Sequence, residues 1–183
     1  MTQNNTDNRL KTMITAALFA ALACGATMSI RIPTPGTGGY IHPGDAIVIL
    51  SGIVLGPGWG FLAGGIGSAL ADLLGGYFIY VPITFMIKGL VALTCGIIYR
   101  RIKKTPGTRY AAVILGGISD IVLVAGGYFL CEAPMYGAAG AAASIPANLI
   151  QGTGGLVIAC LLYPIVISVP GLRQTEAPLK NPN

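Results

Sequence analysis

The sequence predicts an all-α integral membrane protein, a bundle of about six transmembrane helices with both termini in the cytoplasm. Hydrophobic residues fill 54% of its 183 positions and charged residues only 9%. Because soluble domains are about 25% charged, the chain lacks the side chains needed to cover a water-facing surface. The apolar residues also form runs long enough to cross a bilayer, and the basic residues between these runs favour one side.

Six apolar runs are the predicted helices. Five are long enough to span a bilayer, which takes roughly 17–25 residues. The second is marginal because Gly56-Pro57-Gly58 interrupts it. The predicted helices cover residues 10–30, 44–56, 59–76, 80–99, 109–131 and 144–169.

The two ends of the chain look different from these runs. Residues 1–9 are mostly polar, and residues 169–183 contain several prolines and little to bury. Such segments do not supply enough apolar surface to offset the entropy of ordering them. We therefore predict one membrane domain over residues 10–168 between two disordered tails.

Positive charge predicts the orientation, because short cytoplasmic loops retain Lys and Arg. Six crossings place the loop between helices four and five on the same side as both termini. Nine Lys and Arg residues lie on that side, whereas Arg31 alone lies on the other. Both termini are therefore expected in the cytoplasm.

Small residues at four-residue spacing mark two tracks on the first predicted helix. One contains Ala16 and Ala20, and the other contains Ala17 and Ala21. Such tracks allow helix backbones to approach closely. They are compatible with packing inside the bundle and with docking of an outside partner.

Ionisable and amide side chains inside the predicted helices are candidate binding groups, because such residues are expensive in a membrane. Counted at 1.5 Å per residue, all but one lie in the outer half of the bundle, which favours a pocket open to the outside over a channel. The exception is Asp120, near the midplane. The candidates are Asp45, Asp72, Lys88, Asp120, Asn148 and Gln151.

Structural roles compete with ligand binding at several of these positions. Asp72 and Lys88 are placed to neutralise each other across the hairpin of helices three and four. Asp45 follows a glycine and is placed to cap helix two. Three tyrosines near the outer surface form either an aromatic belt or pocket walls that stack on a flat ring. They are Tyr40, Tyr77 and Tyr80.

Several function classes are excluded by what the sequence lacks. It has no GxSxG, HExxH or Walker A motif and one histidine, His42, so an enzyme is not predicted. The four cysteines form no CxxC pair, so neither a metal site nor a disulfide is predicted. The basic residues lie at helix ends without aromatic interleaving, which gives no reason to expect nucleic acid binding.

Two stretches, taken with the helix order, resemble the S components of energy-coupling factor (ECF) vitamin transporters. One is YIHPGDAIVILSGIVLGPGWGFLAGGIGSALADLLGGYFIYVPITFMIKGL, and the other is PANLIQG in helix six. The resemblance covers roughly residues 10–168. It implies a pocket near the outer face, closed by the loops over residues 31–43 and 132–143.

The resemblance also implies partners. An S component binds a vitamin or a precursor and joins a membrane coupling subunit and two cytoplasmic ATPases. These partners hydrolyse ATP, so no cofactor is expected in this chain. Ala16, Ala17, Ala20 and Ala21 would form the docking face, and the complex would lie in the plasma membrane of a bacterium or an archaeon.

The substrate is left open at this stage. The nickel and cobalt members of the family begin with Met-His, whereas this chain begins with Met-Thr, so the resemblance argues against metal transport. Pyridoxine, hydroxymethylpyrimidine, a queuosine precursor and riboflavin all suit the predicted polar and aromatic groups. The alternative function is a self-sufficient secondary carrier or small channel that works as a homo-oligomer, although no internal repeat supports it.

Overall fold

The computed structural model describes residues 2–173 as a bundle of helices with one short β-hairpin. The hairpin pairs Ile32 with Ile41 and Pro33 with Tyr40 in antiparallel register. In chain order the elements are α1 (Thr2–Ser29), β1 (Ile32–Pro33), β2 (Tyr40–Ile41), α2 (Asp45–Leu55), α3 (Pro57–Gly75), α4 (Tyr80–Ile102), α5 (Pro106–Ser168) and α6 (Pro170–Arg173).

Helix α5 is two helices joined at a kink. Gly137 has φ 80° and ψ 157°, which are not helical values, and the residues on both sides of it are helical. We call residues 106–136 α5a and residues 138–168 α5b. The loop predicted over residues 132–143 is therefore wrong, because Gly137 alone makes the bend while its alanine-rich neighbours are good helix formers.

The ends of the chain also differ from the predicted tails. Helix α1 begins at Thr2, so residues 2–9 continue the first helix. Extending an existing helix adds one hydrogen bond per residue without a new nucleation step, which lets polar residues join it. At the other end α6 covers Pro170–Arg173, and the rest of the predicted tail, residues 174–183, lies outside the described residues.

Helix α2 is short and central. Its 11 residues, of which all but Ile47 are buried, correspond to about 16 Å of helix, too little to cross a bilayer. It packs against α1, α3, α4 and α5. Contact with α4 is backbone to backbone, since a Cβ atom on Gly52 would overlap the carbonyl group of Ala92.

Three helices within residues 2–173 are long and apolar enough to cross a membrane: α1 from Asp7, α4 and α5. The last has 63 residues, enough for two crossings. The outer surface of the bundle is apolar, with Phe78 68% exposed and Leu130 72% exposed, whereas Lys88 is fully buried. Apolar residues outside and charged residues inside are the arrangement expected in lipid.

The small-residue tracks of α1 point in two directions. Ala16 belongs to the buried core, and a Cβ on Gly67 of α3 would overlap the backbone of Ala20. This track packs α1 against α3. Ala17 and Ala21 are exposed on the other side of the helix.

Candidate ligand site

A cavity lies at the end of the bundle where α3 ends and α4 begins, beneath the segment 31–43. It encloses about 320 Å³ of empty space, including its mouth. The lining residues are Thr34, Gly39, Tyr40, His42, Asp72, Tyr80, Thr84, Tyr128, Glu132 and Asn148.

Asp72 near the end of α3 forms one wall with Tyr40 of β2. The Tyr40 hydroxyl donates to Asp72 Oδ1 at 2.6 Å. Burial, together with this hydrogen bond, raises the pKa of Tyr40, so the phenol keeps its proton and acts as the donor. Arg31 stands behind the wall, 5.1 Å from the Tyr40 ring centre, and donates to the carbonyl oxygen of Ala71 at 3.1 Å.

Glu132 on α5a forms a second acidic wall. It is 2% exposed, and both of its carboxylate oxygens accept hydrogen bonds. The Tyr80 hydroxyl donates to Oε1 at 3.0 Å, and the Ser144 hydroxyl donates to Oε2 at 2.7 Å. Because Ser144 lies on α5b, Glu132 joins the two halves of α5 across the kink at Gly137.

Aromatic rings and hydroxyls complete the walls. The rings of Tyr80 and Tyr128 lie 6.3 Å apart, tilted by 45°. The hydroxyls of Thr84 and Tyr128 share a hydrogen bond of 2.9 Å, and Asn148 Nδ2 lies 3.5 Å from Ser144 Oγ. The site therefore combines flat apolar surface with hydrogen-bonding groups.

An ion pair adjoins the cavity. Lys88 on α4 pairs with Asp45 at the start of α2, and both side chains are fully buried. Gln151 on α5b donates to Asp45 Oδ2 at 2.9 Å and accepts from the backbone N–H of His42 at 3.0 Å. These groups tie α2, α4, α5b and the segment 31–43 together.

His42 is a buried, neutral imidazole in this arrangement. Its Nδ1 accepts from the backbone N–H of Gly44 at 3.1 Å, which requires that nitrogen to be unprotonated. Burial lowers the pKa of His42 to about 3, with opposing contributions from Asp45, which raises it, and Lys88, which lowers it. His42 is thus a neutral member of the cavity wall.

The cavity is covered where the segment 31–43 meets the start of α5b. Gly36, at φ 77°, lies so close to Gly140 that a Cβ on Gly36 would be 2.7 Å from the Gly140 carbonyl oxygen. Next to it, a Cβ on Gly38 would be 2.9 Å from the Tyr136 hydroxyl. The two segments that the sequence expects to close the pocket are therefore in contact, although one is helical.

The structure separates the nine predicted binding residues into three groups. Tyr40, Asp72, Tyr80 and Asn148 line the cavity. Asp45, Lys88 and Gln151 form the adjoining network. Tyr77 packs against Tyr40 with the ring centres 4.5 Å apart and the rings tilted by 48°. Asp120 is buried elsewhere in the bundle, and its carboxylate has no hydrogen-bond partner among the described residues.

Two predicted structural roles are corrected. Lys88 pairs with Asp45 and not with Asp72, because Asp45 begins α2 deep in the bundle, at the level Lys88 reaches after two turns of α4. For the same reason Asp45 is far from the outer surface where the sequence placed it. Gly44 and not Asp45 holds the N-cap position of α2, and the Asp45 carboxylate accepts from Lys88 and Gln151 instead.

Sequence reasoning missed several lining residues that helix spacing could have indicated. Thr84 lies four residues from both Tyr80 and Lys88, and Tyr128 lies four residues before Glu132. Residues at this spacing share a helix face. Glu132 was overlooked because the sequence placed it at the edge of a loop, and Thr34, Gly39 and His42 carried no signal besides loop position.

Comparison with known proteins agrees with this architecture. A model of the family described as ECF-type riboflavin transporter, S component, matches residues 7–167. A Pyrococcus woesei protein, described as an uncharacterized protein in the gap 3' region, is 36% identical over 132 residues, covering 72% of this chain and 85% of that protein. The thiamine precursor transporter HmpT of Lactococcus lactis subsp. cremoris (strain MG1363) is 27% identical over 162 residues, covering 87% of this chain and 90% of HmpT.

A solved structure of the S component of a bacterial ECF transporter has the same fold. It aligns with a TM-score of 0.64 at 20% sequence identity, over 87% of this chain and 97% of that one. The family model extends over nearly all of the chain that the structure describes. The chain therefore belongs to the family of ECF-type transporter S components, which are membrane transport proteins and not enzymes.

Proposed function

We propose that this protein is the high-affinity binding subunit of an ATP-driven ECF importer for a vitamin-like heterocycle. The observation that carries the proposal is the cavity, which has three tyrosines and two carboxylates on its walls inside a bundle whose outer surface is apolar. A water-soluble heterocycle needs both flat surface and hydrogen-bonding groups to be held away from water. The names of the family and of HmpT make riboflavin and a thiamine precursor the first candidates.

The proposed assembly places the chain as a multi-pass protein in the plasma membrane, with both termini in the cytoplasm. A membrane coupling subunit would dock on it, and two cytoplasmic ATPases would supply the energy. Ala17 and Ala21 are the proposed contact, because they are exposed on α1 and a helix can approach small residues closely. Gly25 continues this track and has open space around it.

Mass spectrometry of small molecules that copurify with the protein tests the proposal. The full chain would be purified in mild detergent and extracted with acid, beside two single variants. Asn148→Ala alters a cavity residue, whereas Leu149→Ala alters a neighbour that is 43% exposed on the outer surface. We expect a heterocycle in the wild type and in Leu149→Ala, and much less of it in Asn148→Ala.

Two results would contradict the proposal. One is the absence of any small molecule bound to the wild-type protein after growth in rich medium. The other is uptake that proceeds in cells lacking the coupling subunit and the ATPases, which would instead indicate a self-sufficient carrier.

A further inference from the structure

The charges on the cavity walls are unbalanced. The carboxyl groups of Asp72 and Glu132 line the cavity. His42, which also lines the cavity, is a neutral imidazole. The nearby cations do not line the cavity: Lys88 is paired with Asp45, and Arg31 lies against the Tyr40 ring and donates to a backbone carbonyl. The surface that meets a ligand therefore carries two carboxyl groups and, among the described lining residues, no cationic side chain.

One carboxylate oxygen is unused. Asp72 is 4% exposed, and its Oδ2 has no hydrogen-bond partner among the described residues. The Thr84 hydroxyl lies near the same carboxylate, but its hydrogen bond is shared with the Tyr128 hydroxyl. A buried acceptor without a donor costs free energy unless something fills its place. A ligand N–H or O–H at this position would supply the missing donor.

Four polar groups on the walls offer acceptor positions: the two carboxyl groups and the hydroxyls of Tyr40 and Tyr80. The hydroxyls of Tyr40 and Tyr80 give their protons to the two carboxylates, so their oxygens retain lone pairs that can accept from a ligand. Glu132 accepts from Tyr80 and Ser144, and a carboxylate has about four acceptor positions. A ligand with N–H or O–H donors complements these four groups.

From this arrangement we infer that the ligand is a flat heterocycle with amine or similar N–H donors, neutral or cationic, and that its carboxylated and phosphorylated relatives are rejected. The inference rests on the proposed function and defines the chemical class of its substrate. An anionic ligand would place further acceptor oxygens beside the carboxyl groups of Asp72 and Glu132, where acceptors face acceptors and any negative charge on the walls repels the ligand strongly because the site holds little water. Selection by charge would exclude phosphorylated forms of the same vitamin.

Binding of compounds that share a ring and differ in charge tests the inference. The wild-type protein in nanodiscs of neutral lipid would be titrated with hydroxymethylpyrimidine and its phosphate, riboflavin and riboflavin phosphate, and pyridoxamine and pyridoxic acid. In every pair with a measurable binder, we expect the anionic member to bind at least about tenfold more weakly, the loss typical of an unmatched charged group.

Two nearly isosteric variants locate the selectivity. Asp72→Asn and Glu132→Gln each replace a carboxyl group by an amide of nearly the same size. Either variant should bind the neutral or cationic member about tenfold more weakly or worse. The ratio between its affinity and that of the anionic member should also fall. Ile150→Ala, at a position that is 66% exposed on α5b, is the matched control and should change neither affinity.

The outcomes separate this inference from the proposed function. An anionic compound that binds as tightly as its neutral partner, or an anionic copurified ligand, would overturn the charge selection and leave the binding subunit standing. If no compound of the panel binds, the charge of the copurified molecule tests the inference: a neutral or cationic molecule supports it, and an anionic molecule overturns it. Absence of both binding and a copurified molecule would overturn the proposed function, and the inference with it.

Discussion

Lys88 and Asp45 form an ion pair in the interior of the bundle, where neither side chain is exposed. They lie 43 positions apart in the chain, on α4 and at the start of α2. With Gln151 they hold the short helix α2 at its depth, below the segment that covers the cavity. Each of the two charged side chains has its counter-ion within the bundle, which offsets part of the cost of burying it.

Removing the lysine should destabilise the protein strongly. Lys88→Met leaves the Asp45 carboxylate buried without its cation, and breaking a buried pair in this way typically costs about 3–5 kcal/mol. We expect a clear fall in Tm of the unliganded protein, measured by scanning fluorimetry in detergent. Adding Asp45→Asn should recover much of the loss, whereas adding Asp72→Asn should not. Recovery with Asp72→Asn would show that Lys88 belongs to the cavity wall instead.

Gln151 should contribute mainly to the stability of the unliganded protein and not to direct contact with the ligand. Gln151→Ala removes the bonds to Asp45 Oδ2 and to the His42 backbone, and leaving buried groups unpaired costs about 1–3 kcal/mol. The unliganded variant should have a lower Tm than wild type, and Ile150→Ala next to it should not. A variant with normal Tm and poor ligand binding would instead identify Gln151 as a direct ligand contact.

Acid should destabilise the protein through His42. Its pKa is about 3 in the folded chain, against 6.5 for the free side chain, so between these values the unfolded chain binds the extra proton. This contribution to stability is complete above about pH 6.5 and is lost as the pH falls, by on the order of 2 kcal/mol at about pH 5.

The comparison that isolates this effect is His42→Asn. An asparagine Oδ1 can accept the Gly44 N–H bond in place of Nδ1 but does not titrate. The difference in Tm between wild type and variant should therefore shrink or reverse as the pH falls, even though carboxylates elsewhere titrate in both. Parallel Tm profiles from about pH 7 to about pH 5 would refute the assignment.

The alanines of α1 should separate into two classes. Ala17→Leu, on the exposed track, should abolish uptake in cells containing the coupling subunit and leave ligand binding to the isolated protein intact. Ala16→Leu, in the core, should lower Tm, since overpacking costs about 1–3 kcal/mol. Ala111→Leu, at an exposed alanine of α5a, is the control for adding a leucine to the surface. If Ala17→Leu transports normally, the docking face lies elsewhere.

Topology can be measured with single cysteines. In a background where Cys24, Cys95, Cys131 and Cys160 are replaced, a cysteine introduced within residues 102–108 should react with an impermeant maleimide only after the cells are opened. A cysteine within residues 34–40 should react in intact cells. The expectation follows from the retention of basic residues on the cytoplasmic side, and labelling of residues 102–108 in intact cells would reverse it.

The sequence by itself determined the membrane class and most helix positions. Each of these depends on short stretches of chain, because whether a segment crosses lipid is decided by the hydropathy of about 20 consecutive residues. The boundaries of α3 and α4 follow from such local signals, with Pro57 at the first position of α3 and Gly76 in the left-handed conformation at its end. Local signals also indicated that Tyr40, Asp72, Tyr80 and Asn148 lie toward one end of the bundle.

The tertiary structure decided which of these groups meet. Asp45 pairs with Lys88, 43 positions away in the sequence, and also contacts Gln151, 106 positions away. No local sequence pattern distinguishes the pairing of Lys88 with Asp45 from a pairing of Lys88 with Asp72. The choice depends on the depth of α2, set by its contact with α4 at Gly52, and on the bend at Gly137, which brings Ser144 to Glu132. Burial makes each polar group take a partner, but only the packing of the helices determines which partner is within reach.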